Sequence, residues 1–215
     1  MSIPIKDVIL PTIQSVLKDS KLPEKEEDVG KFIADGMKKC ENVAKRKFSV
    51  SPNQLGRLNG DWFEYLFQAA ICSFVKEENI TVFPGRGHHI NEINGFEKVT
   101  WIPLPDAIVR NVKDLRAVIT LKWGMRHDRM YESAYEAYAI KDWIQKNKLP
   151  TVKVFLLTND DTSGYASRLK IMSSVPALDG VYYVEYDKLS SDLQEKTKPI
   201  KSLIQEINSI CKVKD

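Results

Sequence analysis

Near residue 76 the hydrophobic period of the chain changes, and this change limits the folds open to it more than any other feature. From Pro52 to Val75 the apolar positions Leu55, Leu58, Trp62, Phe63, Leu66, Phe67 and Ala70 share one broad helical face. Beyond it, Ile80 to Phe83, Lys98 to Leu104, Ala107 to Arg110 and Leu115 to Leu121 are short and rich in β-branched or aromatic residues, as strands are. Upstream, helical spacing covers residues 3 to 18 and about Val29 to Lys45, joined by the solvated connection Pro23 to Asp28. Downstream, helical and strand-like runs alternate. They are a helix over Arg129 to Asn147, a strand over Val152 to Leu157, a helix over Ser163 to Ser174, a strand over Val181 to Tyr186 and a closing helix over Leu189 to Cys211. The expected fold is α/β: a mixed central sheet flanked by helices, in one domain over residues 1–215. Residues 1–50 form its N-terminal helical part and 51–215 its core.

The 215 residues suffice for an ordinary core, and 43% hydrophobic with 28% charged residues excludes bulk disorder. The longest apolar stretch, near Tyr65 to Val75, is interrupted by Gln68 and too short to span a bilayer, so no membrane partner is expected. The first residues lack the charged start and apolar core of a signal peptide. Cys40, Cys72 and Cys211 are odd in number and unclustered, which fits neither a disulfide framework nor a zinc site. The expected location is a reducing cytoplasm, with these cysteines acting as small apolar residues.

Net charge is +3, but the bases are unevenly spread. Lys38 to Phe48 holds five basic residues and one acid, and Ala107 to Arg129 holds six and two. Such stretches suit a polyanion, although on charge alone a solvated face is the better explanation.

The chemistry concentrates between Pro105 and Glu136. Asp106 precedes a strand, Asn111 to Asp114 turns the chain, and a second strand ends at Lys122. Across such a hairpin, residues near 106 face those near 119 to 120. Thr120 and Lys122 share a face because strand side chains alternate. Asp106 can therefore approach Lys122. An acid and a lysine held on rigid strands suit metal-assisted phosphodiester cleavage: the carboxylate holds a divalent cation and the ammonium neutralises a phosphate oxygen or orients water. A magnesium ion needs more oxygen ligands, and Glu132 and Glu136, four apart on the next helix, can supply one.

Pro105-Asp106 followed by Thr120-Leu121-Lys122 resembles the PD-(D/E)xK nuclease motif with its middle acid replaced by Thr120. The continuation Lys122-Trp-Gly-Met-Arg126-His-Asp128-Arg129 resembles type II restriction endonucleases of the CCGG-recognising group, in which a lysine and tryptophan precede Arg-Ser/Thr-Asp-Arg and the catalytic glutamate is displaced onto the following helix. The resemblance covers roughly residues 55 to 187. It implies a restriction-endonuclease-like core, Mg2+ as cofactor, Asp106 and Glu136 as metal ligands, Lys122 as the phosphate and water contact, and Glu64 as a supporting acid on an N-terminal helix. Glu132 and Asp61 compete with Glu136 and Glu64. It further implies double-stranded DNA as substrate within a restriction-modification system, with 5′-phosphate products. Two departures stand out: only sixteen residues separate Asp106 from Lys122, and His127 replaces the usual small hydroxyl residue.

Physics supports the reader assigned to this segment. Arginine can donate two parallel hydrogen bonds to guanine, and aspartate can accept from cytosine. Arg126, Asp128 and Arg129 would thus read a G·C-containing palindrome, and a palindrome cut on both strands implies a homodimer unless a monomer nicks each strand in turn. Simpler roles exist for each residue: Asp106 as a turn residue, Arg126 with Asp128 as a local ion pair, Asp128 as a helix N-cap, Glu132 as solvated surface. His88 and His89, beside Arg86 in a glycine-rich loop, suit a DNA-backbone contact better than zinc. Two alternative functions remain open on sequence: a repair or junction-resolving nuclease of the same fold, and a non-catalytic sequence-specific DNA-binding protein.

Overall fold

The computed structural model describes residues 6–84, 105–111, 114–124, 126–149, 152–160 and 164–212. The strand expected over Lys98 to Leu104, the loop with Arg86, His88 and His89, and the centre of the turn after Asn111 lie outside these residues.

Three helices lead: α1 (Lys6–Lys18), α2 (Val29–Phe48) and α3 (Pro52–Ile71). A 3-10 turn at Glu26–Asp28 occupies the solvated connection between the first two. Helix α2 runs three residues past the expected Lys45 and stops where Ser49 turns left-handed, with φ 50°. Helix α3 starts on proline at its first turn, where the missing N–H is no loss, and the Ser51 backbone N–H donates to Gln54 Oε1 at 2.9 Å.

The sheet follows. Its strands are β1 (Ile80–Val82), β2 (Ala107–Asn111), β3 (Asp114–Trp123), β4 (Lys153–Asn159), β5 (Gly180–Tyr183) and β6 (Lys198–Pro199), in that spatial order. The first three are antiparallel neighbours, and β3 to β6 run parallel. Helix α4 (His127–Lys146) crosses from β3 to β4, and α5 (Tyr165–Met172) from β4 to β5. Among the described residues this is an α/β fold with a mixed six-stranded sheet.

Both faces of the sheet are covered, which is why its strands read as continuous apolar runs rather than alternating ones. Odd positions such as Val109, Ala117, Ile119 and Phe155 pack with α1 to α3 and the last helix. Even positions Ile108, Val118 and Val154 pack with Ala137, Ile140 and Trp143 of α4. Leu156 and Val181 meet Met130 of α4 and Leu169 and Met172 of α5. Alternation thus sorts one strand into two cores.

Three expectations need correction. The strand expected to reach Tyr186 ends at Tyr183, and Tyr186–Lys188 is a 3-10 turn. The closing helix from Leu189 is broken into α6 (Ser191–Gln194), the short β6 and α7 (Ile200–Cys211). Pro199 is the cause: it holds Lys198 extended and lacks an N–H, which the sheet tolerates at an edge strand and a helix interior does not. Cys40 and Cys211 are buried as expected, but Cys72 is exposed. No helix among the described residues is long and apolar enough to cross a membrane.

Candidate active site

The β2–β3 register pairs Ala107 with Ile119, so Asp106, one residue before β2, meets the end of β3. The backbone N–H of Leu121 donates to Asp106 Oδ2 at 2.6 Å, fixing the carboxylate. The Asp106 carbonyl accepts from the N–H of Phe83 at 2.9 Å, so the acid is held from both sides. The other flank of β3 is tied by Thr158 Oγ1, which donates to the Lys122 carbonyl at 2.7 Å. Gly124, at φ 84°, turns the chain out of the sheet while its N–H donates to the Asn159 carbonyl at 2.6 Å. A side chain at that φ would be strained, so glycine suits this turn between Lys122 and α4.

Lys122 Nζ stands 3.9 Å from Asp106 Oδ2 and 3.7 Å from Glu136 Oε2. The three side chains are only 13–15% exposed. Glu136 lies one turn beyond Glu132 on α4, yet the two are used differently. Glu132 turns to Arg129, at 3.0 Å, on an exposed surface, while Glu136 turns inward.

Burial raises the Asp106 carboxyl above its ordinary range; the Lys122 charge and the Leu121 N–H oppose this without overcoming it. Burial likewise pushes Glu136 up to about 7, against the pull of Lys122, with Asp106 and Glu132 adding repulsion. Two carboxyls that resist ionisation around one ammonium are a common mark of a functional centre.

A cleft of about 260 Å3 opens beside this triad. Helix α3 forms one wall with Gly56, Arg57, Gly60, Asp61 and Glu64, all on a single stripe of the helix. Asp106, Lys122 and Gly124 form the wall opposite, and Arg129 closes the α4 side. The Phe63 and Trp123 rings, 5.3 Å apart edge to face, dock α3 against the end of β3 and set the width between the walls. The structure therefore brings Lys122 within 4 Å of both Asp106 and Glu136, and places Glu64 in one cleft with Asp106 and Lys122, while Glu136 is not among the cleft's lining residues. Asp61 lines it too, its carboxyl raised by burial.

The expected reader residues lie at the start of α4. Arg126 Nη2 pairs with Asp128 Oδ2 at 2.9 Å, both largely exposed. Arg126, not Asp128, occupies the N-cap position, so the capping role considered for Asp128 is corrected; Asp128 sits inside the first turn. Arg129 alone of the three also borders the cleft.

Asp106 and Glu136 are hard oxygen donors, each within 4 Å of Lys122 Nζ. Mg2+ is commonly held by one or two carboxylates, with water and substrate phosphates completing its shell, so this pair fits that ion. Among the described residues no group of three or more His, Cys, Asp or Glu side chains forms a ready-made metal cage.

Sequence reasoning missed Arg57 and the two glycines beside it. Only the glycines carried a signal: Gly56, Gly60 and Glu64 recur every four residues, which puts them on one helix face. No protein-family model matches the chain, and no curated protein matches it.

Proposed function

We propose that this protein is a Mg2+-dependent type II restriction endonuclease of the PD-(D/E)xK kind, hydrolysing phosphodiester bonds of double-stranded DNA at a short G·C-containing palindrome. One observation carries the reading: Lys122 Nζ lies 3.9 Å from the Asp106 carboxyl and 3.7 Å from that of Glu136, all three side chains largely buried, and Lys122 and Asp106 line a cleft. The acid missing at Thr120 is supplied from α4 by Glu136, as the motif's displaced-glutamate variant requires.

Asp106 and Glu136 would hold the Mg2+, which supplies charge to the phosphate and acidifies a water. Lys122 orients that water and neutralises a non-bridging phosphate oxygen. Water oxygen bonds to phosphorus as the bond from phosphorus to O3′ breaks; the water gives up one proton and the leaving O3′ takes one from solvent, which leaves a 5′-phosphate and a 3′-hydroxyl. Glu64, across the cleft, supports the acidic side of the centre. Arg126, Asp128 and Arg129 follow Lys122 by four to seven residues, which couples base reading to the reacting phosphate.

Incubation with long unmethylated DNA tests this reading. Discrete fragments that need magnesium, vanish with EDTA and map to one short palindrome are the expected result. A smear or random nicking would point to a repair-type nuclease. DNA shifted intact with magnesium present would point to a non-catalytic binder.

A further inference from the structure

Two glycines in the first half of α3 have no packing reason to be glycine among the described residues. A Cβ added at Gly56 or Gly60 would meet none of those residues within 4 Å. Glycines elsewhere in the helical layer differ. At Gly36 of α2 a Cβ would come within 2.7 Å of Leu66, and at Gly30 within 2.3 Å of the Val184 carbonyl oxygen. Those two let neighbours approach; Gly56 and Gly60 do not. Glycine inside a helix is destabilising relative to alanine, so a pair facing open space calls for another explanation.

The open space is the cleft. Gly56 and Gly60 line it, one helical turn apart, across from Asp106 and Lys122. Arg57 lies between them in sequence, lines the same cleft and is exposed. Among the described residues no carboxylate forms an ion pair with it, not even Asp61 one turn on. A guanidinium so placed has its fork of donors available to an incoming anion, and phosphate is the anion that fork matches.

Resting on the nuclease reading above, we propose that this face of α3 is the wall along which the sugar–phosphate backbone enters the site. Gly56 and Gly60 provide the clearance, and Arg57 holds a phosphate other than the scissile one. The contact is sequence-independent, because a phosphate carries no base information. It complements the α4 side, where Arg126, Asp128 and Arg129 face the bases.

Three variants test it: the Gly56→Ala/Gly60→Ala double, Arg57→Ala and Arg57→Lys. Each is compared with the wild type in thermal unfolding, in binding a mixed-sequence DNA duplex over a salt series, and in magnesium-dependent cleavage of long unmethylated DNA. The double variant should unfold a few degrees higher, since each Gly→Ala change favours the helix. It should also bind and cleave roughly tenfold less well. Arg57→Ala should weaken binding evenly across sequences and lower the slope of log affinity against log salt by about 1, and Arg57→Lys should restore that slope. Unchanged binding and cleavage in a stabilised double variant would overturn the proposal. So would a destabilised double variant, which would assign the glycines to packing, or an unchanged salt slope in Arg57→Ala. A wild type that neither binds nor cleaves DNA is a separate outcome: it removes the nuclease reading itself, and this proposal with it.

Discussion

Lys122 is shared between two carboxyls that burial keeps reluctant to ionise, and this sets how the protein responds to pH. Glu136 has its pKa pushed up to about 7 from 4.5, and burial shifts Asp106 the same way. A carboxyl with a raised folded-state pKa binds its proton more tightly in the folded chain than in the unfolded one. Its contribution to stability is therefore present below about pH 4.5 and lost as pH rises through about 7. Metal-free protein should lose stability on the order of 2 kcal/mol between about pH 5 and about pH 8. Glu136→Gln should flatten most of that slope, as read by urea midpoints across the pH range. On the nuclease reading magnesium should oppose the loss, since it would bind the ionised carboxylates and only in the folded state. A slope of opposite sign, or one untouched by Glu136→Gln, would place the raised carboxyl elsewhere.

At the scale of elements, the β2–β3 hairpin and the start of α4 carry the site, and a buried ion pair steadies the next crossover. Arg168 of α5 donates through Nε and Nη2 to Asp160 Oδ2 just after β4, at 3.2 and 2.8 Å, with both residues almost fully buried. Arg168→Ala would remove the buried cation paired with the Asp160 carboxylate and should cost about 3–5 kcal/mol, measured by chemical unfolding, with Asp160→Asn/Arg168→Ala recovering part of it. Much of this layer was legible in sequence. The approach of Asp106 to Lys122 follows from hairpin alternation, and α3 from its apolar face. The break at Pro199 was also written in the chain, but the apolar period of Leu189 to Cys211 continues through it and masks it. Spacing alone leaves Glu136 and Glu132 open because both share a helix face; the resemblance favoured Glu136, and it is Glu136 that turns toward Lys122. Arg57 was invisible for a different reason: nothing local distinguishes a surface arginine from one that borders a cleft formed with residues fifty positions away.

At the scale of the molecule, the sheet is covered on both faces, so the candidate chemistry sits at an edge of the layers. It lies at the C-terminal end of β3, where Gly124 releases the chain into α4. A palindrome read by one such edge per copy needs two copies related by a dyad. Sedimentation with a palindromic duplex that carries the mapped site should give two chains per duplex. A single chain bound per duplex would instead indicate that the strands are nicked in turn.

On the nuclease reading, Asp106 and Lys122 make phosphodiester hydrolysis possible and are not required to bind DNA. Single-turnover cleavage by wild type, Asp106→Asn and Lys122→Ala, measured beside duplex binding by each, separates the two roles. Expected are magnesium-dependent cleavage by the wild type, a loss of at least about a hundredfold in both variants, and DNA binding retained by both. Cleavage by either variant at the wild-type rate, or DNA binding lost together with cleavage in a variant that remains folded, would contradict it.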